Sequence, residues 1–393
     1  MSTLRTAGRL AALGNYAFAE MDRLRAEREA SGADVIDFGV GDPTEPTPQA
    51  VLHAAIESMW ASRAAGYPSY IGSAAFRQAV ADWYARRYGV RLDPATEVTS
   101  TVGSKEAIFH LPEAFVDPGD VVLAPSPGYP PYTRGTQFAE GRCVAYAVRA
   151  EGSVLPDLDE LPDDVASRLR VVWITQPHVP TGRAADRAAL ERLVAQVRER
   201  GVLLCSDEAY SELWLAAPVA SALETGLENV LVFQSLSKRA AMTGWRVGFV
   251  AGDARAVAAF RRLKTNIDSG TPHFVQAAAI AALADDEAPA AARAAYAARA
   301  DVMVPALARL GCRAARPQAG FYLWVGTPDG IPGTEFARRL LQGAPALAVL
   351  PGEWLAEPVE GQPATPGAGH VRLALVPSLE RCRQAAARLE GWP

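Results

Sequence analysis

Several reactive side chains in this chain stand directly behind apolar runs. In "SLSKRAAMTGWRVGFVAG", Lys238 follows such a run, accompanied by Ser235, Ser237 and Arg246. A lysine in a partly desolvated pocket has a lowered pKa and can act as an amine nucleophile, as Schiff-base chemistry requires. Two hydroxyls and an arginine beside it suit a phosphate, with Arg246 as a bidentate clamp. A solvated lysine in a surface turn is the competing reading. In "VLLCSDEAYSEL", Asp207 ends an apolar run and Tyr210 comes three residues later. The carboxylate could pair with a buried cationic ring nitrogen, and the tyrosine could donate to a phenolate oxygen. The competing reading is a helix N-cap with a packed tyrosine.

Two further stretches complete the set. "STVGSKEAIFHLPEAF" opens an amphipathic helix with Gly103, Ser104 and Lys105, and the free amides at a helix start attract phosphate. "PSPGYPPY" presents Tyr129 from a rigid turn as a ring-stacking surface, while Tyr132 reads as core packing. One pyridoxal 5'-phosphate site would need all of these groups. Lys238 would form the Schiff base, and Asp207 would keep the pyridine nitrogen protonated so that the ring acts as an electron sink. The helix start, the serines and Arg246 would take the phosphate.

These residues need a scaffold that brings strand ends together. "VVLAP", "VVWIT", "VLLCSD", "VLVFQS" and "VGFVAG" read as short buried strands ending in turn residues. Helical patterns lie between them, such as 187–201, with a basic end and a glycine stop. This rhythm predicts an α/β fold with a mostly parallel sheet covered on both faces, and chemistry beyond the carboxyl ends of its strands. After Pro289 the text changes to Ala/Arg-rich helix followed by "FYLWV" and "VRLALV", which predicts a smaller α+β domain. The Pro/Gly-rich stretch 352–370 reads as an exposed loop or lid edge.

Composition excludes several classes. The chain has 393 residues, 49% hydrophobic and 21% charged, with a net charge of −5; that is globular and ample for a large core. No basic run with interleaved aromatics marks a nucleic-acid surface, and no uncharged apolar run reaches about 18 residues, so no membrane span is expected. The first 24 residues read as a helix rather than a signal peptide. Four scattered cysteines and five histidines show no metal spacing. No metal is expected, and the thiols read as reduced, structural and cytoplasmic.

Taken in order along nearly the whole chain, these segments resemble the fold-type I pyridoxal-phosphate aminotransferases of class I/II. "DFGVGDPTEPTP" resembles the N-terminal substrate loop, implying a backbone contact at Gly41. "YPSYIGSAAFRQAVADWY" resembles the segment whose tyrosine, here Tyr67 in preference to Tyr70, reaches the phosphate of a neighbouring subunit. "GSKEAIFHLP", "SDEAY" and "SLSKRAAMTGWRVG" match the cofactor motifs. "AGFYLWV" and "GHVRLALV" match the C-terminal domain, with Arg372 as the clamp for the substrate α-carboxylate. The resemblance implies a seven-stranded sheet in a large domain (40–285) and a small domain (1–39 plus 286–393). It also implies a homodimer acting on an amino acid and a 2-oxo acid, with no nucleic-acid or membrane partner.

One position departs from the family. "QPHVPTGR" resembles its Asn-Pro-x-x-Pro-Thr-Gly turn, in which an asparagine before Pro-Thr-Gly donates to the phenolate oxygen of the ring. Val179 stands there and cannot donate, at a cost of about 1–3 kcal/mol of phenolate stabilisation. The Schiff base should therefore have a raised pKa, unless the adjacent His178 substitutes. Subgroup features such as "SLSKR" and "VLPGEWLAE" resemble succinyldiaminopimelate transaminases of lysine biosynthesis, whereas "MTGWRVGF" and "KTNIDSG" are closer to LL-diaminopimelate and aspartate-type enzymes. The first expectation is N-succinyl-LL-diaminopimelate with 2-oxoglutarate, glutamate being the amino donor in reverse; the second is LL-diaminopimelate or aspartate-type transamination. Elimination, cyclisation or oxidation on the same site follows, motivated by Val179 and by Ala240-Ala241. A non-catalytic binding module ranks last because Lys238 and Asp207 are present and no DNA-binding extension is expected.

Overall fold

The computed structural model describes residues 4–11, 13, 17–148, 152–328 and 330–392. Its strands are β1 (Ile36–Asp37), β2 (Val98–Thr101), β3 (Val121–Ser126), β4 (Arg142–Ala147), β5 (Leu169–Thr175) and β6 (Leu203–Asp207). They continue with β7 (Val230–Ser235), β8 (Gly248–Gly252), β9 (Tyr322–Gly326), β10 (Leu347–Ala348), β11 (Leu350–Pro351) and β12 (His370–Ala374). Seven of them form one sheet in the order β2-β8-β7-β6-β5-β3-β4. The pairs from β7 through β4 are parallel, and β8 runs antiparallel to both of its neighbours.

The inner strands are apolar and buried because both faces are covered. Val122, Val171, Trp173, Cys205, Leu231 and Phe233 pack on one side. The alternate residues Leu123, Val172, Ile174, Leu204, Val230 and Val232 pack on the other. Parallel neighbours need crossovers, which helices supply. Between β5 and β6 the helix Arg187–Glu199 starts at Asp186, whose side chain accepts from the Ala189 N–H. It buries Leu190, Leu193, Val194 and Val197, a one-face spacing.

The second core belongs to the C-terminal part. β9 and β11 flank β12 in an antiparallel sheet, and β1 pairs with β10. Ile36 and Phe38 pack there with Tyr296, Phe321, Leu323, Leu373 and Leu375. Of the N-terminal helix expected over residues 1–24, the described parts are Gly8–Ala11 and the start of Ala17–Ala30; residues 1–3, 12 and 14–16 lie outside the described residues. Among the described residues, no helix is long and apolar enough to cross a membrane.

Candidate active site

The carboxyl ends of β5, β6 and β7 open into a cavity of about 390 Å³ that the C-terminal part closes from above, a size suited to a small organic ligand. Ser104, Lys105, Tyr129, Val179, Asp207, Tyr210, Ser235, Ser237, Lys238, Arg246, Gly41 and Arg372 all line it. Gly103 adjoins it through Arg246. Tyr67 does not line it; that side chain is 85% exposed on this chain.

Asp207 is the last residue of β6, and its side chain is buried. Tyr132 donates its hydroxyl to Oδ2 at 2.8 Å, and the Ala209 N–H reaches Oδ1 at 3.2 Å. Burial pushes the carboxyl up to about 6, against the lowering effect of these two donors. A buried carboxylate poised in this way suits a cationic partner in the cavity. Tyr132 does stack on Trp173 at 4.9 Å, as core packing requires, but its hydroxyl is also part of the site. The reading of Tyr132 as core alone is corrected on that point.

Lys238 sits on the short helix Leu236–Arg239, which Ser235 caps by accepting from the Ser237 N–H. Its Nζ donates to the Gly41 carbonyl at 2.5 Å. Burial lowers the ammonium to about 8; Asp42 opposes the shift, while Arg372 and Arg246 add to it. About a tenth of the amine is then neutral at pH 7, against roughly three in ten thousand for an ordinary lysine.

Arg246 and Gly103 form a cradle. Gly103 has φ +75°, and a Cβ there would stand 2.4 Å from Arg246 Nη2. The guanidinium is steadied by the Thr243 carbonyl at 2.8 Å. Backbone without a side chain, two serines and an arginine fit a phosphate, and Asp207 and Lys238 fit a pyridine ring carrying an aldehyde. The residues present therefore suit pyridoxal phosphate.

Arg372 projects from β12 and donates to the Gly39 carbonyl at 2.6 Å, which ties the clamp to the N-terminal loop. Tyr322, from β9, lies beneath it with Cζ 4.4 Å from the ring centroid. The Tyr322 and Tyr210 hydroxyls are 3.0 Å apart. Sequence reasoning missed Tyr322; the signal was a tyrosine in an otherwise apolar strand, since a buried hydroxyl needs a partner.

The turn after β5 closes on itself, with the His178 N–H bonded to the Arg183 carbonyl at 2.6 Å. Val179 faces the cavity. His178 is fully buried and does not line it. Its Nε2 meets the Pro127 carbonyl at 3.1 Å and its Nδ1 meets Thr181 Oγ1 at 2.8 Å. Burial drives the ring down to about 3, with Arg183 adding to the effect and the Pro127 hydrogen bond opposing it. The neutral ring has one N–H, and Pro127 can only accept, so that proton is on Nε2. His178 therefore does not replace the missing asparagine.

The family model described as aminotransferase class I and II matches residues 33–389. The chain is 43% identical to the LL-diaminopimelate aminotransferase of Desulforudis audaxviator, covering 98% of this chain and 97% of that one. It is 41% identical to the enzyme of the same name from Aquifex aeolicus, covering 98% of each. Among solved structures, the probable N-succinyldiaminopimelate aminotransferase of Thermus thermophilus superposes with TM-score 0.87 at 31% identity, over 95% of this chain and 99% of that one. Substrate-bound BacF from Bacillus subtilis superposes with TM-score 0.92 at 27% identity, over 99% and 98%. The enzymes named for LL-diaminopimelate thus stand nearer in sequence than the Thermus structure named as a probable N-succinyldiaminopimelate aminotransferase, the activity that the subgroup features favoured. With the family model matched over residues 33–389 and named aminotransferases matched over 98% of the chain, this protein belongs to the class I and II aminotransferases and is a pyridoxal-phosphate-dependent transaminase.

Proposed function

We propose that this protein transfers an amino group between LL-diaminopimelate and 2-oxoglutarate, with glutamate as the donor in the biosynthetic direction, as an enzyme of lysine biosynthesis. The observation that carries the catalytic part is the convergence of Lys238, the Asp207–Tyr210 pair and Arg372 on one cavity from three separate segments. The substrate rests on relatives of that name at 41% and 43% identity over almost the whole chain. N-succinyl-LL-diaminopimelate is the second reading, supported by the Thermus structure at 31% identity.

Pyridoxal phosphate, when bound, supplies an aldehyde carbon and a ring able to accept the electron pair of the substrate Cα–H bond. The chain does the rest. Lys238 would hold the cofactor until the substrate amine displaces it, and the freed amine would then take the proton from the substrate Cα and deliver it to the carbon that carried the aldehyde. Asp207, fixed by Tyr132 and the Ala209 N–H, holds a proton at the ring nitrogen. Tyr210 donates to the phenolate oxygen, and Tyr129 gives the ring a surface to stack on. Gly103, Ser104, Lys105, Ser235, Ser237 and Arg246 take the phosphate. Arg372 grips the α-carboxylate, and the Gly41 backbone borders the substrate.

We assign the large domain to 40–285 and the small domain to 1–39 plus 286–393, in line with the separate cores. The working unit is a homodimer in the cytoplasm. Leu52, Ile56, Met59 and Trp60 form an exposed apolar stripe on helix Gln49–Ala61, with Tyr67 and Tyr70 exposed beyond its end. Such a patch marks an interface, and it would deliver Tyr67 to the phosphate of the partner. The described cysteines are free thiols, as a reducing compartment requires.

The test is the absorption spectrum of the purified protein with LL-diaminopimelate, N-succinyl-LL-diaminopimelate or L-glutamate, each followed by 2-oxo acid. The lysine-bound cofactor band should fade with LL-diaminopimelate and return with 2-oxoglutarate. Fading with the succinyl compound alone would select the second reading. A band that no amine discharges would point to elimination or oxidation, and product analysis would identify it.

A further inference from the structure

Val179 stands on the cavity where an asparagine would donate to the cofactor, and two tyrosine hydroxyls meet across the same cavity. We propose that the Tyr322 hydroxyl is the outer member of a two-hydroxyl relay. It donates to Tyr210, which donates to the phenolate oxygen, and the relay supplies the support that an asparagine at position 179 would give. The inference rests on the placement of Tyr210 against the cofactor proposed above.

Proton counting sets the direction. The two hydroxyls are 3.0 Å apart, and each carries one proton. If Tyr210 spends its proton on the cofactor, the proton between the two oxygens must come from Tyr322. A hydroxyl that accepts one hydrogen bond donates a stronger one, by roughly 10–30% in condensed-phase estimates. Tyr322 is 5% exposed and Tyr210 is half-buried, and the Tyr322 ring is held beneath the Arg372 guanidinium at 4.4 Å. The site also makes room for this oxygen in particular. A Cβ on residue 41 would stand 1.9 Å from Tyr322 Oη, so Gly41 leaves the space in which the hydroxyl sits. The nearby alternative is closed, because the single N–H of His178 is committed to Pro127. Tyr322 is a positioning residue: it acts on the cofactor through Tyr210.

The experiment is a pH titration of the absorption of the lysine-bound cofactor in four proteins: wild type, Tyr322→Phe, Val179→Asn and the double variant. Phenylalanine keeps the packing and removes only the oxygen. The relay predicts that Tyr322→Phe raises the titration midpoint by about 0.5–1 pH unit. Adding Val179→Asn should bring the midpoint back to the wild-type value or below it. An unmoved midpoint in Tyr322→Phe, with the band intact, would overturn the relay even if turnover fell, because packing alone would then explain the loss. Wild-type protein without any cofactor band would overturn the placement of Tyr210 and the relay together.

Discussion

Each reactive group depends on a neighbour that sets its charge. Asp207 is the clearest case, since burial raises its carboxyl to about 6 in the cofactor-free chain. The unfolded chain releases that proton near the ordinary value of 3.8, so the folded state binds more protons between the two values. Stability of the cofactor-free protein therefore falls as pH rises from about 4 to 6, by on the order of 3 kcal/mol from this group. Thermal unfolding of cofactor-free wild type and Asp207→Asn over that range should show a steeper fall in wild type, because the buried Glu208 carboxyl, also raised, contributes to both proteins. With cofactor, the same substitution leaves the ring nitrogen without its anionic partner, and kcat should drop at least about 100-fold. Arg372 makes a different demand. Its planar fork matches a carboxylate in two places, whereas lysine offers a point charge. Arg372→Lys should lower kcat/KM about 100-fold in steady-state assays, mostly through KM, with the cofactor band unchanged.

At the scale of elements, the site is a set of strand ends and the turns that follow them. Gly103 shows what such a turn requires. Its φ of +75° and ψ of 163° lie in a region that is essentially glycine-only, and a Cβ would displace Arg246. Gly103→Ala should weaken cofactor binding about 100-fold, through about 1–3 kcal/mol of backbone strain and a disturbed clamp. Fluorescence titration of cofactor-free protein would measure it. These strand ends were legible in the sequence because the buried strands of the sheet are largely apolar runs that stop at Thr, Asp, Ser or Gly. Edge strand β4 was not read, because Arg142–Ala147 is only partly buried and has no such run. Tyr132 and Tyr322 were hidden for a related reason: an aromatic in an apolar context reads as packing, which both also do. Only the spatial meeting of distant segments, Tyr132 with Asp207 and Tyr322 with Tyr210, reveals their hydroxyls as working parts. Val179 was legible as a departure, but its consequence depended on where His178 turned.

At the scale of the molecule, one chain supplies nearly the whole site but leaves Tyr67 pointing into solvent. The segment that carries it is braced. Asp268 accepts from the Gly270 N–H at 2.6 Å and pairs with the buried Lys264, while Gly270 packs directly on the Ser69 carbonyl. Ser73 is held in turn by Gln276 at 2.7 Å. A braced, exposed tyrosine beside an apolar stripe is costly for a monomer and useful in a dimer. Ile56 and Trp60 are 49% and 69% exposed, whereas Val51 and Ala55 on the opposite face of the same helix are buried. The double substitution Ile56→Asp and Trp60→Asp therefore targets the association face and spares the core. Sedimentation should find wild type as a dimer and the variant as a monomer, with unchanged far-UV circular dichroism. Because Lys238, Asp207 and Arg246 are all supplied within one chain, the monomer should still form the cofactor band at high pyridoxal phosphate. It should bind the cofactor about tenfold more weakly, the loss of roughly one phosphate hydrogen bond from the partner. Tyr67→Phe in the intact dimer should reproduce that weakening without dissociation. A variant that remained dimeric would move the association face elsewhere. A monomer with undiminished cofactor affinity would remove Tyr67 from the phosphate site.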